Sequence, residues 1–261
     1  MNDSIELTNE ERSQLTDCLL DMGVLLIDAG AEISRVEDTL SRMARAYGAV
    51  RADVFALTNY LSASFEFKGS PAFTETRRIM QSGGTDLYRV EKLNTLSRQC
   101  CVSPLSPAEL RAKIDKIASG IKPFGMVLAG SVLGAGAFAV FFGGSLWDGL
   151  AAAVFGALIA LLSQALSRTE VSIVVSDFMI SLAAGFCTAA ACHFIPSLAM
   201  DKIMIGDIML LIPGLAMTNA LRNILSGNTI SGFIRLAESL IWTGAIAGGF
   251  MLSMLLAGLV F

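Results

Sequence analysis

The stretch PFGMVLAGSVLGAGAFAVFFGGSLWDGLAAAVFGALIALLSQAL, residues 123–166, decides the fold class, because Asp148 is its one charged residue. It divides into two apolar runs, 123–142 and 146–166. Each provides the ~20 residues that a helix needs to cross a bilayer. Similar segments follow near 171–195, 203–221 and 233–258. The first four spans are joined by short connections and are expected to be antiparallel neighbours. Gly and Ala are dense throughout, as at Gly130, Gly134, Gly136, Ala151–Ala153 and Ala183–Gly185. Small residues let membrane helices approach closely, and Gly130-x-x-x-Gly134 fits that use.

Outward from these runs the composition changes. Only 16% of the 261 residues are charged, against roughly 25% in a soluble domain, which disfavours an ordinary soluble enzyme. A net charge of -4 gives no reason to expect a nucleic-acid partner. Residues 1–122 hold 32 of the 42 charges and residues 123–261 the other 10. The expected fold class is an α-helical integral membrane protein of about five transmembrane helices with an N-terminal cytoplasmic α+β domain. The division is 1–122 for that domain and 123–261 for the transmembrane domain.

The first 122 residues read as ααβββαα. Thr8-x-x-Glu11 is a capping box, and Leu15, Leu19, Met22 and Leu26 follow at helical spacing up to Gly30. A second helix, from about Glu32 to Tyr47, puts Ile33, Val36, Leu40, Met43 and Tyr47 on one face. Its other face carries Arg35, Glu37, Asp38, Arg42 and Arg45, which reads either as solvated charge or as a gating or inter-subunit surface. Strands are expected at 53–58, 62–67 and 74–80, and Gly83-Gly84 as a turn. A third helix runs from Asp86 to about Cys101. Ser106-Pro107-x-Glu109 opens a fourth. The N-terminus, with Asp3, Glu6, Glu10 and Glu11, does not read as a secretory signal. The five cysteines include no C-x-x-C pair, so neither disulfides nor a zinc site are expected. No phosphate loop, metalloprotease helix or nucleophile elbow occurs, so no catalytic residue, metal or cofactor is predicted.

Charges inside spanning segments are costly and are functional candidates by default. Asp177 lies in the third span, followed by Ser181, Gly185 and Thr188 as a small polar stripe. Asp207 lies near the outer end of the fourth span and Glu238 near the cytoplasmic end of the fifth. Asp148, beside Trp147, reads as an interfacial helix cap. The fourth span is broken in its middle by Ile212-Pro213-Gly214. Proline removes a backbone donor, and such breaks at depth occur where protein or a watery cavity satisfies the backbone. Transporters use the half-helix ends to hold anions. Just beyond, Leu215, Thr218, Asn219 and Arg222 share one face. Thr and Asn offer neutral hydrogen bonds, and Arg can clamp a carboxylate in two places. Spacing alone leaves a proline kink with an anchoring arginine equally open.

Ile212-Pro213-Gly214-x-x-x-Thr218-Asn219-Ala220-x-Arg222, then Ser226-Gly227-Asn228-Thr229-Ile230-Ser231-Gly232 and Arg235, resemble the signature of the threonine/serine exporter family. Ala29-Gly30-Ala31 through Arg35-Val36-Glu37-Asp38-Thr39-Leu40 resembles its N-terminal motif. Members carry this module plus a second membrane module, fused or separate. The resemblance therefore implies the larger subunit of a split exporter, partnered by a smaller membrane subunit. One split relative exports succinate, and Trp147-Asp148-Gly149 resembles that version, whereas Thr218-Asn219-Ala220-x-Arg222 is nearer the amino-acid type. The expected function is efflux of a small carboxylate-bearing metabolite, threonine or serine first, by a proton-driven antiporter. Pro213, Gly214, Thr218, Asn219 and Arg222 would bind substrate, and Asp177, Glu238 or Asp207 would carry the proton. The alternatives are a dicarboxylate exporter subunit and a membrane-anchored scaffold or sensor. An intramembrane enzyme would need a Gly-x-Ser-x-Gly or Gly-x-Gly-Asp pattern, and neither is present. Basic residues Arg111, Lys113, Lys116, Lys122, Arg168, Arg222 and Arg235 share one side, against Lys202 on the other. The positive-inside rule then places the N-terminus in the cytoplasm and the C-terminus outside a cytoplasmic (inner) membrane. Membrane lipid is the expected surround. A homo-oligomer fits the Gly-rich helices as well as a hetero-oligomer does.

Overall fold

The computed structural model describes residues 7–80, 84–120, 123–169 and 171–260. Asp3, Glu6, Gly83, Lys122 and Glu170 lie outside the described residues. The chain forms two compact units, Met1–Gly120 with Leu215–Leu236, and Ile121–Gly214 with Ala237–Phe261.

In the first unit, α1 (Asn9–Asp28) starts at the expected capping box, with Thr8 Oγ1 accepting from the Glu11 N–H at 3.3 Å. Leu15, Leu19, Met22 and Leu26 are buried on it, as their spacing requires. Next come α2 (Ile33–Ala46), β1 (Ala49–Leu57), β2 (Tyr60–Phe67), β3 (Phe73–Arg78), α3 (Leu87–Val102) and α4 (Pro107–Ala118). All five apolar residues expected on one face of the second helix are buried. The strands form an antiparallel meander, β1-β2-β3, in which Leu57 pairs with Tyr60 across a two-residue link. On β2 the inward side chains Leu61, Ala63, Phe65 and Phe67 are buried, while Glu66 faces out. The alternation is that of a half-buried strand. β1 begins four residues earlier than the sequence suggests. Gly48, at φ 89°, turns the chain from α2 directly into the sheet. The core gathers the buried faces of α1 and α2, the inner face of β2, Leu93 of α3, and Leu110 and Ile114 of α4.

Glu37, on the polar face of α2, does not act as free surface charge. Its Oε1 accepts the Ala56 N–H of β1 at 2.9 Å. Burial pushes its carboxyl above the usual carboxylate range, against the lowering effect of that hydrogen bond. A carboxyl whose folded pKa is raised contributes stability below its unfolded pKa, and that contribution is lost as pH rises through the folded value. Glu37→Gln keeps the acceptor and removes the charge. The variant is therefore expected to unfold at an equal or higher temperature than the parent at neutral pH, with a smaller pH dependence between about pH 4 and 7. Thermal unfolding of the full chain in detergent checks this, and a lower Tm at pH 7 would contradict it.

The second unit contains α5 (Phe124–Phe141), α6 (Leu146–Leu166), α7 (Ile173–Phe194) and α8 (Met200–Leu211). It also contains residues 237–260 of α10 (Thr229–Val260). Among the described residues, four helices (α5, α6, α7 and α10) are long and apolar enough to cross a membrane. The expected fourth span is two helices, α8 and α9 (Gly214–Leu225), bent by 55° at the break. Counted as one span, they make five. The break follows from Pro213. The Gly214 N–H bonds back to the Ile212 carbonyl at 2.8 Å, a tight three-residue turn. α10 has 32 residues, which at about 1.5 Å each exceeds the ~30 Å hydrocarbon core.

Small residues let these helices touch, at Gly136 as the sequence suggested and at Gly206, which it did not single out. A Cβ at Gly206 of α8 would lie 2.5 Å from the Ala135 carbonyl oxygen of α5, and one at Gly136 would lie 2.9 Å from that of Gly149 in α6. Gly130 faces open space. Asp148 caps α6 as expected. Its carboxylate accepts the Ser145 N–H and the Ala199 N–H, each at 2.7 Å.

Candidate functional site

The exporter-like motif residues meet at the end of α1. Its last turn closes on Gly30, at φ 84°, with the Gly30 N–H on the Ile27 carbonyl (3.0 Å) and the Ala31 N–H on that of Leu26 (2.9 Å). This glycine C-cap explains why Ala29-Gly30-Ala31 has the composition it has. α9 ends in the same way. Gly227 takes φ 90°, its N–H bonds to the Ile224 carbonyl at 3.2 Å, and the Asn228 N–H bonds to that of Asn223 at 2.9 Å. The chain then reverses into α10. A Cβ at Gly232 would lie 2.7 Å from the Ala220 carbonyl oxygen and 2.8 Å from the Ile224 nitrogen. Ser226 through Gly232 is thus a helical hairpin with one glycine for the turn and one for the crossing.

Three side chains of this hairpin reach the α1–α2 corner, all within the first unit. Asn219 Nδ2 donates to the Gly30 carbonyl at 3.3 Å. Arg222 Nη1 donates to Glu32 Oε2 at 3.3 Å. Buried Arg235 donates through Nη2 to the Ile27 carbonyl at 3.0 Å. A cation there also meets the negative end of the α1 dipole. Asn219 and Arg222 line a cavity of about 190 Å³ with Gly30, Glu32, Arg35 and Asn94. Glu32, Arg35, Thr39 and Asn94 also line a wider cleft of about 850 Å³ that extends along α2 and α3 to Arg98. Of the other residues expected to bind substrate, Thr218 is exposed on α9, and Pro213 and Gly214 form the break in the second unit.

A family model described as "Putative threonine/serine exporter" matches residues 17–257. The chain belongs to the threonine/serine exporter family. No curated protein and no solved structure matches it. This is a family of transporters, and the apolar helices make this member a multi-pass membrane protein. The match takes in both motif regions, the α1–α2 corner and the α9–α10 hairpin.

The three carboxylates of this exporter-family chain expected to carry the proton, Asp177, Asp207 and Glu238, fall in the second unit. Asp207 of α8 is fully buried, its Oδ1 has no hydrogen-bond partner, and Thr188 of α7 stands 3.5 Å from its Oδ2. Asp177 is half-buried at the start of α7. Glu238 has a buried Oε2 without a partner. The stripe hydroxyls mostly satisfy their own helix: Ser181 donates to the Asp177 carbonyl at 2.6 Å and Thr188 to that of Ala184 at 2.9 Å. The structure therefore joins Thr188 to Asp207. Among the described residues, no side-chain bond joins Asp177 or Glu238 to that pair. No cluster of three metal-ligating side chains occurs among them either.

Sequence reasoning missed Glu32 and Asn223. Glu32 partners a residue 190 positions away, and no local pattern signals that. Asn223 shares the buried face of α9 with Ala216 and Ala220, and its Oδ1 has no partner. The offsets of 4 and 3 between those three would have flagged the face.

Proposed function

We propose that this chain is a subunit of a secondary exporter that moves small carboxylate-bearing metabolites, threonine and serine first, out of the cytoplasm. The observation that carries this reading is the cavity lined by Asn219 and Arg222, a guanidinium and an amide in the family's signature helix. Arg222 is half-exposed and ion-paired, so it can trade one carboxylate for another. In this reading the α+β unit lies in the cytoplasm, the C-terminus lies outside, and Pro213, Gly214 and Thr218 also meet the substrate. A smaller membrane subunit completes the transporter. Uptake of labelled serine, threonine and succinate into inverted vesicles, with and without a co-purifying partner, tests the proposal. A vesicle that moves none of them overturns it. Succinate alone would favour the dicarboxylate reading, and an anchor or scaffold would move nothing even with its partner present.

Asp207 is the first choice for proton coupling, ahead of Asp177 and Glu238. A buried carboxylate with an unpartnered oxygen is costly to maintain, and Asp207 is the most enclosed of the three. Asp207→Asn is expected to leave substrate exchange intact and to remove acceleration by an imposed pH gradient. Vesicles of Asp207→Asn that keep full gradient dependence would assign the carrier elsewhere, with Asp177→Asn and Glu238→Gln as the next variants.

A further inference from the structure

Among the described residues, Glu32 is the one carboxylate lining the 190 Å³ cavity. Its side chain is 11% exposed and is held from three directions. Ser34 Oγ donates to Oε1 at 3.0 Å, Arg222 Nη1 stands 3.3 Å from Oε2, and Arg35 Nε stands 3.6 Å from the same oxygen. It occupies the N-cap position of α2 yet makes no capping hydrogen bond, so its carboxylate is not committed to holding the helix. A substrate carboxylate that takes Arg222 must take it from Glu32. As counter-charge Glu32 then keeps only the mostly exposed Arg35, at 3.6 Å, and loss of the nearer guanidinium from a largely buried carboxylate is costly. A ligand that carries an ammonium beside its carboxylate removes that cost, because the ammonium replaces Arg222 on Glu32 while the carboxylate binds Arg222. Every charge is then paired before and after the exchange. A dicarboxylate would instead put three carboxylates against the two guanidiniums of Arg35 and Arg222.

We propose that Glu32 is the specificity-determining residue of this cavity: it accepts the α-ammonium of a zwitterionic substrate and so selects amino acids over simple carboxylates and dicarboxylates. This rests on the exporter reading above and adds to it the group that reads the amine. The cleft along α2 and α3, which shares Arg35, Thr39 and Asn94 with the cavity, is the approach for such a solute.

The test compares L-serine with 3-hydroxypropanoate, which lacks only the amine, and with succinate. Each is measured as uptake by inverted vesicles that contain the full chain and its partner. The parent is expected to prefer L-serine. Glu32→Gln is expected to raise the KM for L-serine at least about tenfold, because one charge-assisted hydrogen bond to the ammonium is lost, and to leave the KM for 3-hydroxypropanoate equal or lower, because Arg222 no longer has to be taken from a carboxylate. Glu32→Asp keeps the carboxylate and is expected to retain the preference, which separates recognition from damage to α2. A parent that transports L-serine and a Glu32→Gln variant with the same preference would overturn the role of Glu32 alone. A parent that transports no L-serine overturns both this inference and the amino-acid exporter reading beneath it.

Discussion

Arg222→Ala is expected to abolish export while the protein still inserts and folds. The guanidinium is the charged donor of α9 in the cavity. Hydrogen bonds to charged groups are worth about 1.5–3 kcal/mol each. Losing even one from the loaded state lowers affinity by roughly ten- to a hundredfold, and a two-pronged clamp loses more. The fold has little to lose by the same change. The Arg222–Glu32 pair is half-exposed on the arginine side, and such pairs contribute about 0–1 kcal/mol. Glu32 also keeps Ser34 and Arg35. Arg222→Lys restores the charge without the two-pronged geometry and is expected to recover only part of the rate. Membrane yield, detergent elution profile and serine efflux together check the prediction. Normal efflux by a well-expressed Arg222→Ala protein would remove Arg222 from the binding site.

Gly232→Ala is expected to be as damaging, through packing. A Cβ at Gly232 would press on backbone atoms of α9, 2.7 Å from the Ala220 oxygen and 2.8 Å from the Ile224 nitrogen. Backbone cannot move aside as a side-chain terminus can, so the α9–α10 crossing must open. Overpacking of this kind costs about 1–3 kcal/mol. It would also displace Asn219, Arg222 and Arg235 from the α1–α2 corner, because all three project from this hairpin. Gly244→Ala, in the same helix with open space around its Cβ position, is the matched control and is expected to be neutral or slightly stabilising. Thermal stability and efflux of the two variants separate packing from helix propensity. Equal behaviour would mean that the crossing is not tight.

Much of the fold could be read along the chain because local rules govern it. Thr8 with Glu11, and Ser106 with Glu109, announce their helices through hydrogen bonds three residues apart. The apolar faces of α1 and α2 follow from a 3.6-residue period. Apolar runs of about 20 residues mark α5, α6 and α7 because nothing else in a chain needs that length of hydrocarbon. β1 and the α9–α10 hairpin were less legible. Their bounds depend on Gly48 and Gly227 adopting positive φ, which a glycine permits but does not compel.

The site was half legible. Residue type and position marked Asn219 and Arg222, and the cost of intramembrane charge marked Asp207, since both are statements about single residues in a known solvent. By itself, then, the sequence determined that this is a membrane protein of the exporter family with an α+β unit, and which helix carries its signature. Only the tertiary structure decided what that signature touches. It puts Leu215–Leu236 in one compact unit with the first 120 residues. It puts Arg222 on Glu32 and Asn219 on the Gly30 carbonyl, and it leaves Gly232 no room for a side chain. The physical reason is distance along the chain. Periodicity and capping act over three or four residues, whereas a contact between positions 32 and 222 depends on how whole helices pack and leaves no trace in either local sequence.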